Sequence, residues 1–132
     1  MKEMSDKSWG ADIPAQGKKE KLLDQNLGVQ YCGDSEEIYV EILQMFCDMK
    51  DKKQRELQEA YDARDWKNYT IQIHALKSGA LNIGGKELSA RAAELEKAGK
   101  QSDEAYILKE HDAMMHMYDD TADEALQYLE GK

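Results

Sequence analysis

The sequence predicts an all-α protein, an up-and-down antiparallel four-helix bundle with a short additional N-terminal helix. Apolar residues recur at spacings of three and four in four long segments, and no segment alternates apolar and polar residues as a half-buried strand does. Short connections join these segments, which favours antiparallel packing of chain neighbours. With 132 residues and one proline, the chain has room for a single domain.

The first 17 residues show no helical period and contain the proline and two glycines, so we interpret 1–17 as a flexible tail or linker remnant. The domain proper is predicted to span 18–132. Residues 1–17 lack the apolar segment of a secretory signal. A short helix is expected over about 18–27, ending near Gly28.

The first long helix is predicted to begin at a capping box formed by Asp34 and Glu37 and to end near Ala63. The next helix has Asp65 as its N-cap. Its inward positions share the helical period and are Tyr69, Ile73, Leu76, Ala80 and Ile83.

The pair Gly84-Gly85 is predicted to stop the second long helix, because glycine readily adopts the left-handed conformation that ends helices. A third helix is expected over 86–98, with Gly99 at its exit. Ser102 is predicted to cap the last helix. The inward stripe of that helix repeats in a heptad-like manner through Leu108, His111, Met115, Tyr118, Ala122, Ala125 and Leu129.

The net charge of −9 argues against nucleic acid and anionic membranes as partners, because both favour clusters of Lys and Arg. No stretch approaches the roughly 20 apolar residues of a membrane span, so we expect no membrane insertion and a cytoplasmic protein. The charge is unevenly distributed along the chain. Residues 64–86 hold four basic side chains and one acidic one, whereas 101–132 hold two basic and nine acidic ones.

The histidine of the second long helix is predicted to face outward. At about 100° per residue, the apolar arc of that helix lies opposite His74. Exposed apolar groups beside a reactive side chain indicate a docking surface, and Ser78 is small enough to leave the ring approachable. Lys77 could compensate negative charge on the ring. The residues within roughly 60° of His74 on the helical projection are Lys67, Thr70, Ile71, Lys77, Ser78 and Leu81.

The same segment resembles the signature of histidine-containing phosphotransfer (HPt) domains. Residues 74–80 read His-Ala-Leu-Lys-Ser-Gly-Ala, and 83–85 read Ile-Gly-Gly. The signature is His-x-Leu-Lys, small residues, and an aliphatic residue with Gly a few positions on. Residues 33–46 and 63–66 are similar to the family's entry into its first long helix and to its turn before the histidine helix. The resemblance covers about 20–130.

The resemblance implies that His74 accepts a phosphoryl group from the aspartyl phosphate of one receiver domain and passes it to the aspartate of another. It implies response-regulator receivers and a hybrid sensor histidine kinase as partners, and a magnesium ion that the receiver supplies, with no cofactor of the chain's own. Many members have Gly where this chain has Ser78, which is also small. We expect a monomeric phosphohistidine carrier without a nucleotide site.

An Asn, Gln or Glu on the following helix often orients the histidine ring in this family, and Glu96 is the candidate here. The alternative is an ordinary surface acid paired with Arg91 or Lys100, and the sequence leaves both readings open. Lys67, Lys77 and Lys86 are expected to steer docking onto the negative aspartate pocket of a receiver. Docking contacts are predicted at Lys67, Thr70, Ile71 and Leu81.

Other functions fit the sequence less well. His111 and His116 are five residues apart, which is poor geometry for sharing a metal ion, and His111 is expected to be a core histidine with hydrogen-bond partners. The chain has no Gly-rich loop or Walker lysine motif. Dimerising histidine kinase segments normally carry an acid directly after the histidine, where this chain has Ala75. A degenerate bundle that docks a signalling partner without phosphotransfer remains the alternative function.

Overall fold

The computed structural model describes residues 21–131, which form five α-helices and contain no strand. The tail expected over 1–17 and the first residues of the expected short helix lie outside the described residues. The helices are α1 (Gln25–Tyr31), α2 (Glu36–Asp62), α3 (Trp66–Asn82), α4 (Lys86–Lys100) and α5 (Glu104–Glu130). None of these helices is both long enough and apolar enough to cross a membrane.

The four long helices close into a ring. Each of α2, α3 and α4 packs against the next helix along the chain, α5 packs back onto α2, and α1 lies against α2 and α3. This arrangement confirms the predicted bundle with its short additional helix. The main core cluster includes Leu57, Tyr69, Ile73, Leu88, Leu95, Ile107, Met114 and Tyr118. A second cluster beneath α1 contains Leu23, Tyr39, Leu43, Ile83 and Ala125.

Two predicted boundaries of α3 are confirmed. Asp65 is the N-cap, and its carboxylate accepts the backbone N–H of Asn68 at 3.2 Å. At the other end, Gly84 has a φ of 86°, in the left-handed region where a side chain is disfavoured. The histidine helix therefore begins and ends where its local sequence requires.

Two predicted N-caps are wrong by one residue. Ser35 caps α2 and Asp103 caps α5, and each side chain accepts the backbone N–H three residues on at 3.2 Å. The residues predicted as caps, Asp34 and Ser102, have φ values of 61° and 56°. They form the left-handed turn before the cap, so Asp34 and Glu37 do not make a capping box.

Two glycines expected at helix ends lie inside helices instead. α1 continues through Gly28, where a Cβ atom would overlap the Tyr39 ring and the Ile83 carbonyl. α4 continues through Gly99, where a Cβ atom would overlap the Thr70 hydroxyl. In both places the missing side chain allows two helices to pack closely. A prediction that glycine ends a helix does not include this role.

The inward stripe of α5 is also partly wrong. Leu108 is exposed and Met115 is half-buried, whereas Ile107 and Met114 are fully buried. Spacings of three and four residues fit two adjacent stripes of the same helix, one through Leu108 and Met115 and the other through Ile107 and Met114. Packing against both α2 and α4 selects the register in which the buried residues are Ile107, His111, Met114, Tyr118, Thr121, Ala122 and Ala125.

Candidate functional site

His74 lies on the outward face of α3, as predicted. Its side chain is 60% exposed, whereas Tyr69, Ile73, Leu76 and Ala80 of the same helix are buried. The apolar arc anchors α3 in the bundle and leaves the imidazole accessible to a second molecule.

Glu96 of α4 lies directly beside this ring. Its Oε2 atom is 2.7 Å from His74 Nδ1, and the residue is only 5% exposed. The reading of Glu96 as an ordinary surface acid is therefore wrong, although Lys100 does contact it. Arg91 pairs with Glu110 at 3.2 Å instead.

Two lysines complete the surroundings of the Glu96 carboxylate. Lys77 Nζ is 2.6 Å from Oε1, and Lys100 Nζ is 3.2 Å from Oε2. Hydrogen bonding from Lys77 and then from His74 and Lys100 lowers the pKa of Glu96 to about 2, against the opposing effect of burial. Glu96 is therefore ionised at neutral pH. We call Glu96, His74, Lys77 and Lys100 the Glu96 cluster.

The charge of Glu96 fixes the tautomer of His74. A carboxylate can only accept hydrogen bonds, so the proton at the 2.7 Å contact must belong to His74 Nδ1. In the neutral imidazole the other nitrogen, Nε2, then carries a lone pair. The arrangement thus presents one nucleophilic nitrogen on an exposed ring.

Contacts on either side of His74 hold α4 against α3. The Ser89 hydroxyl donates a hydrogen bond to the Lys77 carbonyl at 2.9 Å, three residues after His74. Four residues before His74, Thr70 packs against Gly99, and its hydroxyl donates to the Trp66 carbonyl at 2.6 Å. These contacts set the separation of the two helices where Glu96 meets the ring.

The surface around His74 combines basic, apolar and small side chains. Lys67, Ile71, Ser78 and Leu81 are exposed, as their angular positions predict. Thr70 is half-buried against α4 and offers less surface than expected. Lys86 lies 3.4 Å from Asp24 in the α1 region.

Lys100 is the cluster member that the sequence interpretation treated only as part of an alternative. The sequence signal for Lys100 is its spacing from Glu96. The two residues are four apart on one helix, and side chains at that spacing contact each other. What the spacing could not indicate is that Glu96 turns toward α3, so that its partner also stands beside His74.

A second histidine, His111, is buried in the bundle, which confirms the prediction of a core histidine. Its Nδ1 lies 2.9 Å from the Tyr69 hydroxyl and its Nε2 lies 3.0 Å from Gln58 Oε1. The Tyr61 ring stacks on it at 3.9 Å. His116 is exposed. Within residues 21–131, no group of three or more potential ligand side chains is placed to hold a metal ion.

Two comparisons with known proteins gave a match. A family model described as the Hpt domain matches residues 41–129. The structure is similar to the crystal structure of the HPT domain from an Hpt sensor hybrid histidine kinase of Shewanella, with a TM-score of 0.78 and 18% sequence identity. That match covers 84% of this chain and 96% of the other. No curated protein sequence matches the chain.

Proposed function

Because the chain belongs to the Hpt domain family, whose model matches more than half of the chain, we propose that His74 is the phosphoacceptor. Membership gives the chain a histidine phosphotransfer role in a phosphorelay, as a phosphocarrier module among two-component signalling partners. The observation that carries the residue assignment is the exposed His74 ring whose Nδ1–H is held by the buried, ionised Glu96.

The proposed reaction begins with the lone pair of His74 Nε2. It attacks the phosphorus of a receiver's aspartyl phosphate, and the N–P bond forms as the P–O bond to the aspartate breaks. The carboxylate leaves with the bonding electron pair. Because Nδ1 keeps its proton, the phosphorylated ring gains a positive charge, which the Glu96 carboxylate compensates. The reverse reaction delivers the phosphoryl group to the aspartate of a second receiver.

Charge complementarity supports receivers as the partners. The segment 66–100, which covers α3 and α4, carries six basic and three acidic side chains in a chain whose net charge is −9. A receiver presents an acidic pocket and supplies the magnesium ion, so its charge complements this surface. We assign docking to Lys67, Ile71 and Leu81, with a smaller contribution from the half-buried Thr70.

The remaining assignments follow from the same role. The lysines of the Glu96 cluster place positive charge next to the ring that receives the phosphoryl group, and Ser78 leaves the approach open. We expect the chain to act as a monomer in the cytoplasm, without a nucleotide site or cofactor of its own. A hybrid sensor histidine kinase is the expected source of the phosphoryl group.

The direct test follows radiolabelled phosphate from a phosphorylated receiver onto the protein. We expect an acid-labile, base-stable adduct on the parent and none on His74→Gln. His116→Gln is the matched control, because His116 is also an exposed histidine and should not affect labelling. Equal labelling of His74→Gln, or no labelling by any receiver of the same organism, would contradict the proposal.

A second test addresses access to the ring. Ser78→Arg should leave the fold intact and slow transfer at least about tenfold, because a long side chain one turn from His74 blocks the receiver. Asn68→Arg adds the same side chain at another exposed position of α3 and should transfer like the parent. Unchanged transfer in Ser78→Arg would exclude this face as the docking surface.

The alternative, a bundle that docks a partner without phosphotransfer, is distinguished in the same experiment. Such a protein would bind a receiver and accept no label. His74 is exposed and Glu96 fixes its tautomer, which suits a phosphoacceptor. A protein that only docks a partner has no need of this arrangement.

A further inference from the structure

The two lysines on Glu96 are held very differently. Lys77 Nζ is 2.6 Å from Oε1 and its side chain is 33% exposed, whereas Lys100 Nζ is 3.2 Å from Oε2 and its side chain is 68% exposed. Lys100 also shares its carboxylate oxygen with His74 Nδ1. One lysine is thus tightly held, and the other is loosely held and solvent-accessible.

The consequences of releasing each lysine also differ. If Lys77 left Glu96, Oε1 would lose its cation. Leaving a buried carboxylate with one partner fewer costs free energy. If Lys100 left, Oε2 would keep the hydrogen bond from His74, and Oε1 would keep Lys77. Release of Lys100 therefore leaves the ring fixed and the carboxylate still paired.

The helix packing brings Lys100 to the ring. Gly99 lies against Thr70, four residues before His74 on α3, and no larger residue would allow this approach. The next residue along α4 is Lys100. Lys100 Nζ and His74 Nδ1 contact the same Oε2 atom of Glu96. A phosphoryl group on His74 Nε2 would therefore bring negative charge close to the exposed Lys100 side chain.

We propose that Lys100 is the cation that leaves Glu96 to pair with the phosphoryl group on His74, while Lys77 stays on Glu96 as a positioning residue. This inference rests on the proposed function and divides between two residues the charge compensation that the sequence interpretation gave to Lys77. If Lys100 were only an exposed i,i+4 partner of Glu96, it would contribute little to stability and would not affect the lifetime of the phosphohistidine.

The experiment compares Lys100→Met, Lys77→Met and the control Lys97→Met, which removes an exposed lysine from the same helix. Each protein is phosphorylated, separated from the receiver, and followed for loss of phosphate. We expect the lifetime of the phosphohistidine in Lys100→Met to fall about three- to tenfold. Loss of phosphate passes through a loose transition state, so a cation stabilises the charged phosphohistidine more than it stabilises that transition state. Lys97→Met should match the parent, and Lys100→Arg should restore most of the lifetime.

Two NMR measurements separate pairing from a structural effect. In the phosphorylated proteins, the phosphorus signal should titrate at higher pH in Lys100→Met than in the parent, because the dianion loses its cation. In the unphosphorylated proteins, nitrogen NMR should show the Nδ1–H tautomer of His74 retained in Lys100→Met and weakened in Lys77→Met.

The outcomes are distinct. If the parent takes up no phosphate on His74, the proposed function fails. If the parent is labelled and Lys100→Met matches Lys97→Met, the function stands and the inference is overturned. If Lys77→Met shortens the lifetime while its His74 tautomer is unchanged, Lys77 itself pairs with the phosphoryl group and the inference is also overturned.

Discussion

The two histidines His74 and His111 lie in one bundle and have opposite surroundings. His74 is exposed and its Nδ1 donates to the ionised Glu96. His111 is fully buried between uncharged groups, and its Nδ1 lies 2.9 Å from the Tyr69 hydroxyl. Burial raises the pKa of Tyr69, which keeps that hydroxyl protonated. The Tyr69 hydroxyl is therefore available as a donor to His111 Nδ1.

The hydrogen bonds at the far side of His111 complete this contrast. Gln58 donates from its amide nitrogen to Asp62 at 3.0 Å, which turns its oxygen toward His111 Nε2. Nε2 must then carry the proton and donate it to that oxygen, so Nδ1 accepts from the Tyr69 hydroxyl. The two histidines are therefore held as opposite tautomers. Both nitrogens of His111 are thus occupied, whereas one nitrogen of His74 is available. Availability of a ring nitrogen, rather than the presence of a histidine, separates a reactive residue from a structural one.

The largest effect that tests this contrast is on stability. His111→Ala should lower the free energy of unfolding by about 2–4 kcal/mol, because it leaves a cavity and removes the hydrogen-bond partner of the buried Tyr69 and the half-buried Gln58. His74→Ala should change it by less than about 1 kcal/mol, since the ring is exposed and Lys77 and Lys100 still pair with Glu96. Chemical denaturation measures both. A larger loss from His74→Ala than from His111→Ala would reverse the assignment of roles.

A smaller change should disturb His74 alone. Gly99→Ala forces α4 away from Thr70 and should cost about 1–3 kcal/mol, while shifting the nitrogen NMR signals of His74 and sparing those of His111. The control is Gly79→Ala, because no atom lies within 4 Å of the added Cβ. That substitution should stabilise α3 by about 0.5–1 kcal/mol. Shifts at both histidines in Gly99→Ala would mean that the two environments are coupled.

The contrast also indicates what could be predicted from sequence. The outward position of His74 and the inward position of His111 both follow from helical periodicity, because the apolar residues of one helix identify its buried arc. The same is true of the boundaries at Asp65 and Gly84. Periodicity could not choose between the two registers of α5 that pass through His111, since that choice depends on the neighbouring helices.

Features that depend on how two helices meet were predicted less well. The burial of Glu96 and the place of Lys100 depend on the distance between α3 and α4, which Gly99 controls. The sequence predicts helix ends at Gly99 and Gly28, because it does not distinguish a glycine that ends a helix from one that allows a neighbouring helix to pack closely. The caps at Ser35 and Asp103 were missed because the preceding left-handed residues are not glycines.

The smallest effect concerns pH. Burial lowers the pKa of His111, and the carboxylates of Asp112 and Asp62 oppose this only in part. The unfolded chain therefore binds a proton more readily than the folded one. Stability should fall as the pH drops from about 7.5 through 6.5, with a slope of at most about 1.4 kcal/mol per pH unit from this residue. Glu96, whose pKa is about 2, adds a separate loss only below about pH 4.5.

Denaturation of the parent and of His111→Gln between pH 8.5 and 5 would measure the contribution of His111. Above about pH 7.5 an ordinary imidazole is neutral in the unfolded chain, so His111 should add no slope there and the two curves should run parallel. Below that pH the parent should lose stability more steeply than His111→Gln. Parallel curves over the whole range would mean that His111 binds its proton equally well in the folded bundle, and the contrast with His74 would then rest on access to the ring alone.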